Sequence, residues 1–177
     1  MLTIFTRESH RPDLSTLSSR EHFRSRNNVS GIGIGDATAQ LGSALIRGEP
    51  GSGIIQELIQ YTQNSMSNVI DKPGRSAFAH TELELILRNR GIRNLVICGV
   101  TTDVCVHTTM REANDRGFDC VLVHDACAAG TLELHEWAVD SIKGEGGIFG
   151  SVATTNGVLA ALRILGHDSV EGLFENH

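Results

Sequence analysis

A thiol and an ammonium mark the two stretches of this chain best suited to chemistry. Cys105 stands in GVTTDVCVHTTMREANDRG, residues 99–117, where the apolar run LVICGV hands over to helix-forming residues. Lys72 stands in VIDKPGRSAF, residues 69–78, directly after a stretch that reads as a second strand. A thiol at a helix N-terminus faces unpaired backbone N–H groups and the positive end of the macrodipole, and both favour thiolate. The same N–H groups can hold the oxyanion formed when a thiolate attacks a carbonyl carbon. A lysine near that thiolate would pair with it and could move protons, and Phe78 could supply an apolar wall. The plainer reading is packing for the cysteine and solvation for the lysine, since cysteines are among the most buried residues. Cys98, Cys120 and Cys127 are read as packing residues. For Cys105, position alone leaves function and packing evenly matched.

The elements that must position these groups follow from periodicity. Leu2–Thr6 reads as a buried strand. Residues 7–50 are rich in Ser, Arg, Asn and Gly and read as a long loop, a length that usually signals function or misassignment. Gly51–Gln63 carries Ile54, Ile55, Leu58 and Ile59 at helical spacing. Asn68–Asp71 reads as a strand stopped by Lys72-Pro73-Gly74. Thr81 and Glu84 form a capping-box pair for a helix that Gly91 closes. Leu95–Val100 is the clearest strand, followed by a helix over Val104–Arg116 closed by Gly117. Cys120–Val123 is a strand, 131–143 a helix, Phe149–Ala153 a strand and Val158–Leu165 a helix. Strands alternating with helices give an α/β fold with a parallel sheet, in which ligands bind at the carboxyl ends of strands. Cys105 and Lys72 both lie at such ends.

The bulk properties frame this. The 177 residues fit one domain, 1–177. A net charge of −6 with scattered Lys and Arg argues against nucleic acid or an anionic membrane as partner. No apolar run is long enough to span a bilayer, MLTIFTRESH lacks the pattern of a signal peptide, and the four cysteines show no CxxC or disulfide framework. The expectation is a reduced, cytoplasmic protein.

Other tempting features are weaker. GIGIGDATAQLG, residues 31–42, has Thr38 where a dinucleotide loop needs its third glycine, so it reads as a flexible loop near the pocket. HEWAV, residues 135–139, lacks the second histidine of a zinc-protease helix. His107, two residues past Cys105, falls on another helix face and reads as structural, lining a subunit contact. Arg7 and His10 are candidate substrate contacts, with solvated loop residues an equal alternative.

The stretch DKPGRSAFAHTELE…LRNRGIRNLVICGVTTDVCVHTTMREANDRGFDCVLVHDACAA resembles the isochorismatase-like superfamily of cysteine hydrolases, nearest to the amidohydrolases of biuret, ureidoacrylate and similar carbamoyl or ureido compounds. TRESHRPDLS, LIRGEPGSGII and HEWAVDSIK…GGIFGSVATT are similar to the same group, so the likeness covers nearly the whole chain. It implies a Rossmann-like three-layer α/β/α sandwich around a mainly parallel sheet. It implies Cys105 as nucleophile, Lys72 as the catalytic lysine, a cis peptide at Val100–Thr101, and an oxyanion hole from the amides of Thr101 and Cys105. It implies a small-molecule substrate, no cofactor and a homo-oligomer. The nucleophile favours C–N bond hydrolysis through a thioester over the vinyl-ether chemistry of isochorismatases proper. Nothing matches the Asp/His metal site of nicotinamidases, so no metal is expected.

The pattern departs from the family at one place. The D-x-Q-x-D-F segment that ends the family's first strand and carries its catalytic aspartate is absent, so the sheet is expected to lack that strand. Three readings follow, in this order: a piece or shortened form of a longer amidohydrolase, a catalytically inactive homologue serving as a binding or oligomer subunit, or substitution of the aspartate by Glu8 or Asp103. Asp103 is otherwise expected to cap the helix that follows, and Glu8 to be an ordinary loop acid.

Overall fold

The computed structural model describes residues 1–63 and 67–167. It is a mixed α/β protein whose main sheets are parallel, and it divides into two compact units, Met1–Leu87 and the chain from Arg88 onward.

In the first unit, β1 (Thr3–Glu8) pairs in parallel with β4 (Ser67–Lys72), from Thr3 opposite Ser67 to Glu8 opposite Lys72. The ladder runs one step further, with the Ser9 N–H donating to the Lys72 carbonyl at 3.0 Å. Arg7 and Asp71 are register partners, and Arg7 Nε donates to Asp71 Oδ1 at 2.6 Å. Arg47 Nε reaches the other carboxylate oxygen at 3.0 Å. Between these strands lie α1 (Ser19–Arg24), capped by Ser18, the short antiparallel pair β2 (Ala37–Thr38) and β3 (Gly42–Ser43), a 3₁₀ turn at Pro50–Ser52, and α2 (Gln56–Thr62). Two expectations are corrected here. β1 is not a buried strand, because β4 is its sole ladder partner among the described residues and its side chains stay half-exposed. The helix expected from Gly51 begins only at Gln56, because Pro50–Ser52 takes a 3₁₀ turn and Ile55 is extended. No described α2 residue is buried, so its apolar spacing serves no core face.

The helix α3 (Leu83–Asn89) starts as the sequence suggests. The Thr81 hydroxyl accepts from the Leu83 N–H at 3.2 Å, Leu83 and Leu87 are buried, and Gly91 at φ +64° ends the run. Only glycine adopts that backbone without cost.

The second unit is a sheet of β5 (Asn94–Val100), β6 (Asp119–Ala128) and β7 (Ser151–Ala153), all parallel, with β6 in the middle. The helices α4 (His107–Asp115), α5 (Leu132–Gly147) and α6 (Thr155–His167) pack on β6. Met110, Ala113, Leu122, Ala138 and Ile142 are fully buried and form its core. α5 begins at Thr131, whose hydroxyl accepts from the Leu134 N–H, and loses helical geometry at Gly144–Gly146. That break matches the expected end at 143. α6 is capped from the sheet, with Asp125 Oδ1 accepting from the Thr155 N–H at 2.7 Å and its hydroxyl at 2.9 Å.

Three further corrections belong to this unit. β6 runs to Ala128, five residues past the expected end, so His124, Asp125 and Cys127 lie on a strand. Cys98 does not pack. β5 has no ladder on its other edge among the described residues, and Asn94, Val96, Cys98 and Val100 are exposed. The helix expected from Val104 is two elements: a π-helical turn over Thr102–Val106, then α4.

Candidate active site

The parallel sheet of the second unit brings the ends of β5, β6 and β7 to one side. Cys105 sits there, in the π turn that follows β5. The Val100–Thr101 peptide is cis. The Thr101 carbonyl accepts two N–H groups, from Val104 at 3.2 Å and Val106 at 3.1 Å, the second being the i→i+5 bond of a π turn. The Cys105 carbonyl is taken by the Thr109 hydroxyl at 2.7 Å. Cys105 itself is half-buried. A wide turn of this kind directly after a strand end presents a side chain where ligands of parallel sheets bind.

The other three thiols are held away from reactivity. Burial pushes the Cys120 thiol up to about 11, with the Asp119 carboxylate adding to it. Burial does the same to Cys127, also to about 11, against a weaker opposing hydrogen bond from the Gly99 backbone. Cys98 is raised as well, by desolvation of its sulfur. Desolvation penalises the charged form, so these groups stay thiols at neutral pH.

An open pocket of about 380 Å³ is lined by His124, Asp125, Cys127, Thr131 and His135, among others, and by no residue of the Thr102–Val106 turn. His135 also touches the turn: its Nδ1 lies 2.9 Å from the hydroxyl of Thr102, which is completely buried. Neither Thr102 nor His135 emerged from the sequence as a site residue. The two are 33 positions apart, and HEWAV reads first as a failed zinc motif. The usable signal was Thr131, whose cap fixes the first turn of α5 and puts His135 at the strand-end face.

Asp103 is not a side-chain cap. Its Oδ1 is buried with no hydrogen-bond partner among the described residues. His107 is buried and points into an aromatic pocket, with ring centroids 5.6 Å from Trp137 and 5.9 Å from Phe149. Arg111 Nε donates to its Nδ1 at 3.1 Å, which fixes the proton on Nε2. Burial, and then the Arg111 charge, lower its pKa against a smaller opposing pull from Asp103. His107 is therefore a neutral core residue.

The remaining sequence candidates belong to the first unit. Lys72 is the last residue of β4 rather than the first beyond it. It is buried, and its ammonium donates to the Gly74 carbonyl at 2.8 Å. Phe78 is buried. Arg7 lies in β1, not in a loop, and is held by Asp71. His10 is buried, with Nδ1 3.3 Å from the Thr16 hydroxyl and Nε2 3.6 Å from Glu8 Oε1. Glu8 closes β1 opposite Lys72 and is not a loop acid. Among the described residues, no group of three or more His, Cys, Asp or Glu side chains gathers where a metal could be held, and no helix is long and apolar enough to cross a membrane.

Comparison with known proteins adds the family. The profile of the isochorismatase domain matches residues 1–156. A ureidoacrylate amidohydrolase of Acinetobacter baylyi is 44% identical over 89 residues, which cover 49% of this chain and 36% of that protein. The chain spans between about a quarter and a half of the length of the curated relatives it matches. Among solved structures, an isochorismatase-like hydrolase from Alkaliphilus metalliredigens superposes with a TM-score of 0.71 at 28% identity, covering 91% of this chain and 73% of the other. A cysteine hydrolase from Pseudomonas syringae pv. phaseolicola gives 0.73 at 26% identity, covering 92% and 72%. The α/β fold with parallel sheets is common to them.

Proposed function

The chain belongs to the isochorismatase family, and from that premise we propose that it is a cysteine-dependent amidohydrolase cleaving a C–N bond of a small amide, ureido or carbamoyl compound. The observation that carries the reading is the setting of Cys105. It is the one thiol on the turn after a parallel strand, while burial raises the Cys120 and Cys127 thiols to about 11. The likeness to a ureidoacrylate amidohydrolase supports the substrate class.

In this reaction the Cys105 thiolate attacks the carbonyl carbon, and the carbonyl π electrons move to oxygen. The amides of Thr101 and Cys105 hold that oxyanion. Collapse of the tetrahedral adduct expels the amine nitrogen, which takes up the proton released by the thiol, and leaves a thioester. Water then attacks the thioester, releases the acid and restores the thiol. Lys72 is assigned to thiolate stabilisation on motif resemblance. Within the second unit, Asp103 is the acid two residues from the nucleophile, and its buried Oδ1, without a hydrogen-bond partner among the described residues, supports it as proton acceptor.

Ammonia release from biuret, ureidoacrylate-type, nicotinamide and carbamoyl compounds tests the proposal. We expect turnover of at least one class and its loss by about a thousandfold or more in Cys105→Ala. Hydrolysis that survives the substitution overturns it, and a folded chain inert on every class favours the inactive homologue.

A further inference from the structure

We propose that His135 is a positioning residue for the nucleophile turn, acting through Thr102, and that its second ring nitrogen is a polar contact for the substrate in the pocket that it lines. This rests on the reading of Cys105 as nucleophile.

π turns are rare, occur mostly as single turns and are frequent at functional sites, so a side chain that braces one bears on what the turn presents. Thr102 opens this turn three residues before Cys105, and its completely buried hydroxyl meets His135 Nδ1 at 2.9 Å. His135 stands on a firm base, because Thr131 caps the start of α5 and Ala138, Val139 and Ile142 bury the same helix one turn on. The link therefore ties the turn to a part of the unit that does not readily move.

With Nδ1 engaged, the opposite edge of the ring is left for the cavity that His135 lines with His124, Asp125 and Thr131. His135 Nε2 has no partner among the described residues. About 380 Å³ suits a small molecule. Amides and ureides carry both N–H donors and carbonyl acceptors, so Nε2 can bond them in either tautomer.

Asparagine reproduces the Nδ1 position of histidine and glutamine its Nε2 position, so the two substitutions separate the roles. We would measure the rate of Cys105 alkylation by iodoacetamide across pH, with peptide mapping, for the wild-type chain and His135→Asn, His135→Gln, Thr102→Val and Thr102→Ser. We would also measure kcat and KM on any turned-over compound. Positioning predicts that His135→Gln and Thr102→Val change the Cys105 rate or its pH midpoint by about fivefold or more. His135→Asn and Thr102→Ser should stay within about twofold of wild type. The substrate contact predicts that His135→Asn raises KM about tenfold while kcat holds. If Gln and Asn behave alike at Cys105, or if Thr102→Val is silent, the positioning role is lost. If no compound is turned over, the amidohydrolase reading falls, while alkylation still decides the link to the turn.

Discussion

Gly150 and Cys120 touch through their backbones. A Cβ at Gly150 would sit 2.4 Å from the Cys120 carbonyl oxygen, and Gly150 adopts φ +129°. Backbone cannot yield as a flexible side chain can, so Gly150→Ala should destabilise the chain by about 2–4 kcal/mol. The urea midpoint reads this, and a value within about 0.5 kcal/mol of wild type would refute the close approach.

Thiol chemistry should be selective. At pH 7.5 a thiol with a pKa of about 11, as for Cys120 and Cys127, is ionised to roughly 0.03%. Cys98 is exposed but also raised. Iodoacetamide at that pH should therefore mark the peptide carrying Cys105 well before the other three. Equal labelling of all four in the folded chain would remove the main support for Cys105 as nucleophile.

Cys120 should make the chain sensitive to alkali. Its folded pKa, about 11, lies above an ordinary value near 9, so the folded state holds the proton more tightly than the unfolded one. The contribution is complete below about pH 9 and is lost as pH rises towards 11, on the order of 2 kcal/mol for a residue this buried. Cys120→Ala should flatten that limb of the stability curve, and an unchanged slope between pH 9 and 11 would count against it.

His107 works in the opposite direction. Its pKa is lowered, so the unfolded state binds the proton more readily and stability falls as pH drops below about 6.5. His107→Phe keeps an aromatic ring beside Trp137 and Phe149 and removes the titration. Urea midpoints from pH 7 down to 5 should decline less for the variant than for wild type.

Local chemistry was the legible part of this fold. The Thr81 start and Gly91 stop of α3, the Gly117 stop of α4 and the break at Gly144 were all marked by residues whose backbone preferences act within a few positions. What depends on a distant partner was not legible. Cys98 sits in the most apolar strand, yet it is exposed because it shares one uncovered face of β5 with Val96 and Val100, burial alternating along the strand. The π turn differs from an α-helical start by one backbone bond, which no residue type announces. Cys105 could be singled out as a candidate because thiol, strand end and helix start are adjacent in the chain. Thr102 and His135 were missed because only folding brings them together.

The two parallel sheets differ in how far the chain must travel to build them. In the second unit Asn94 meets Asp119 and Val121 meets Ser151, separations of about 25 and 30 residues. In the first, Arg7 and Asp71 are 64 positions apart. Closing the longer loop costs roughly 1 kcal/mol more in chain entropy before any ladder bond repays it. The order of assembly is thus written into the topology: β5, β6 and β7 can collapse as near neighbours, while β1 must wait for β4. Pulsed hydrogen exchange during refolding should find amides of Leu122 and its neighbours protected before those of Phe5 and Ile70.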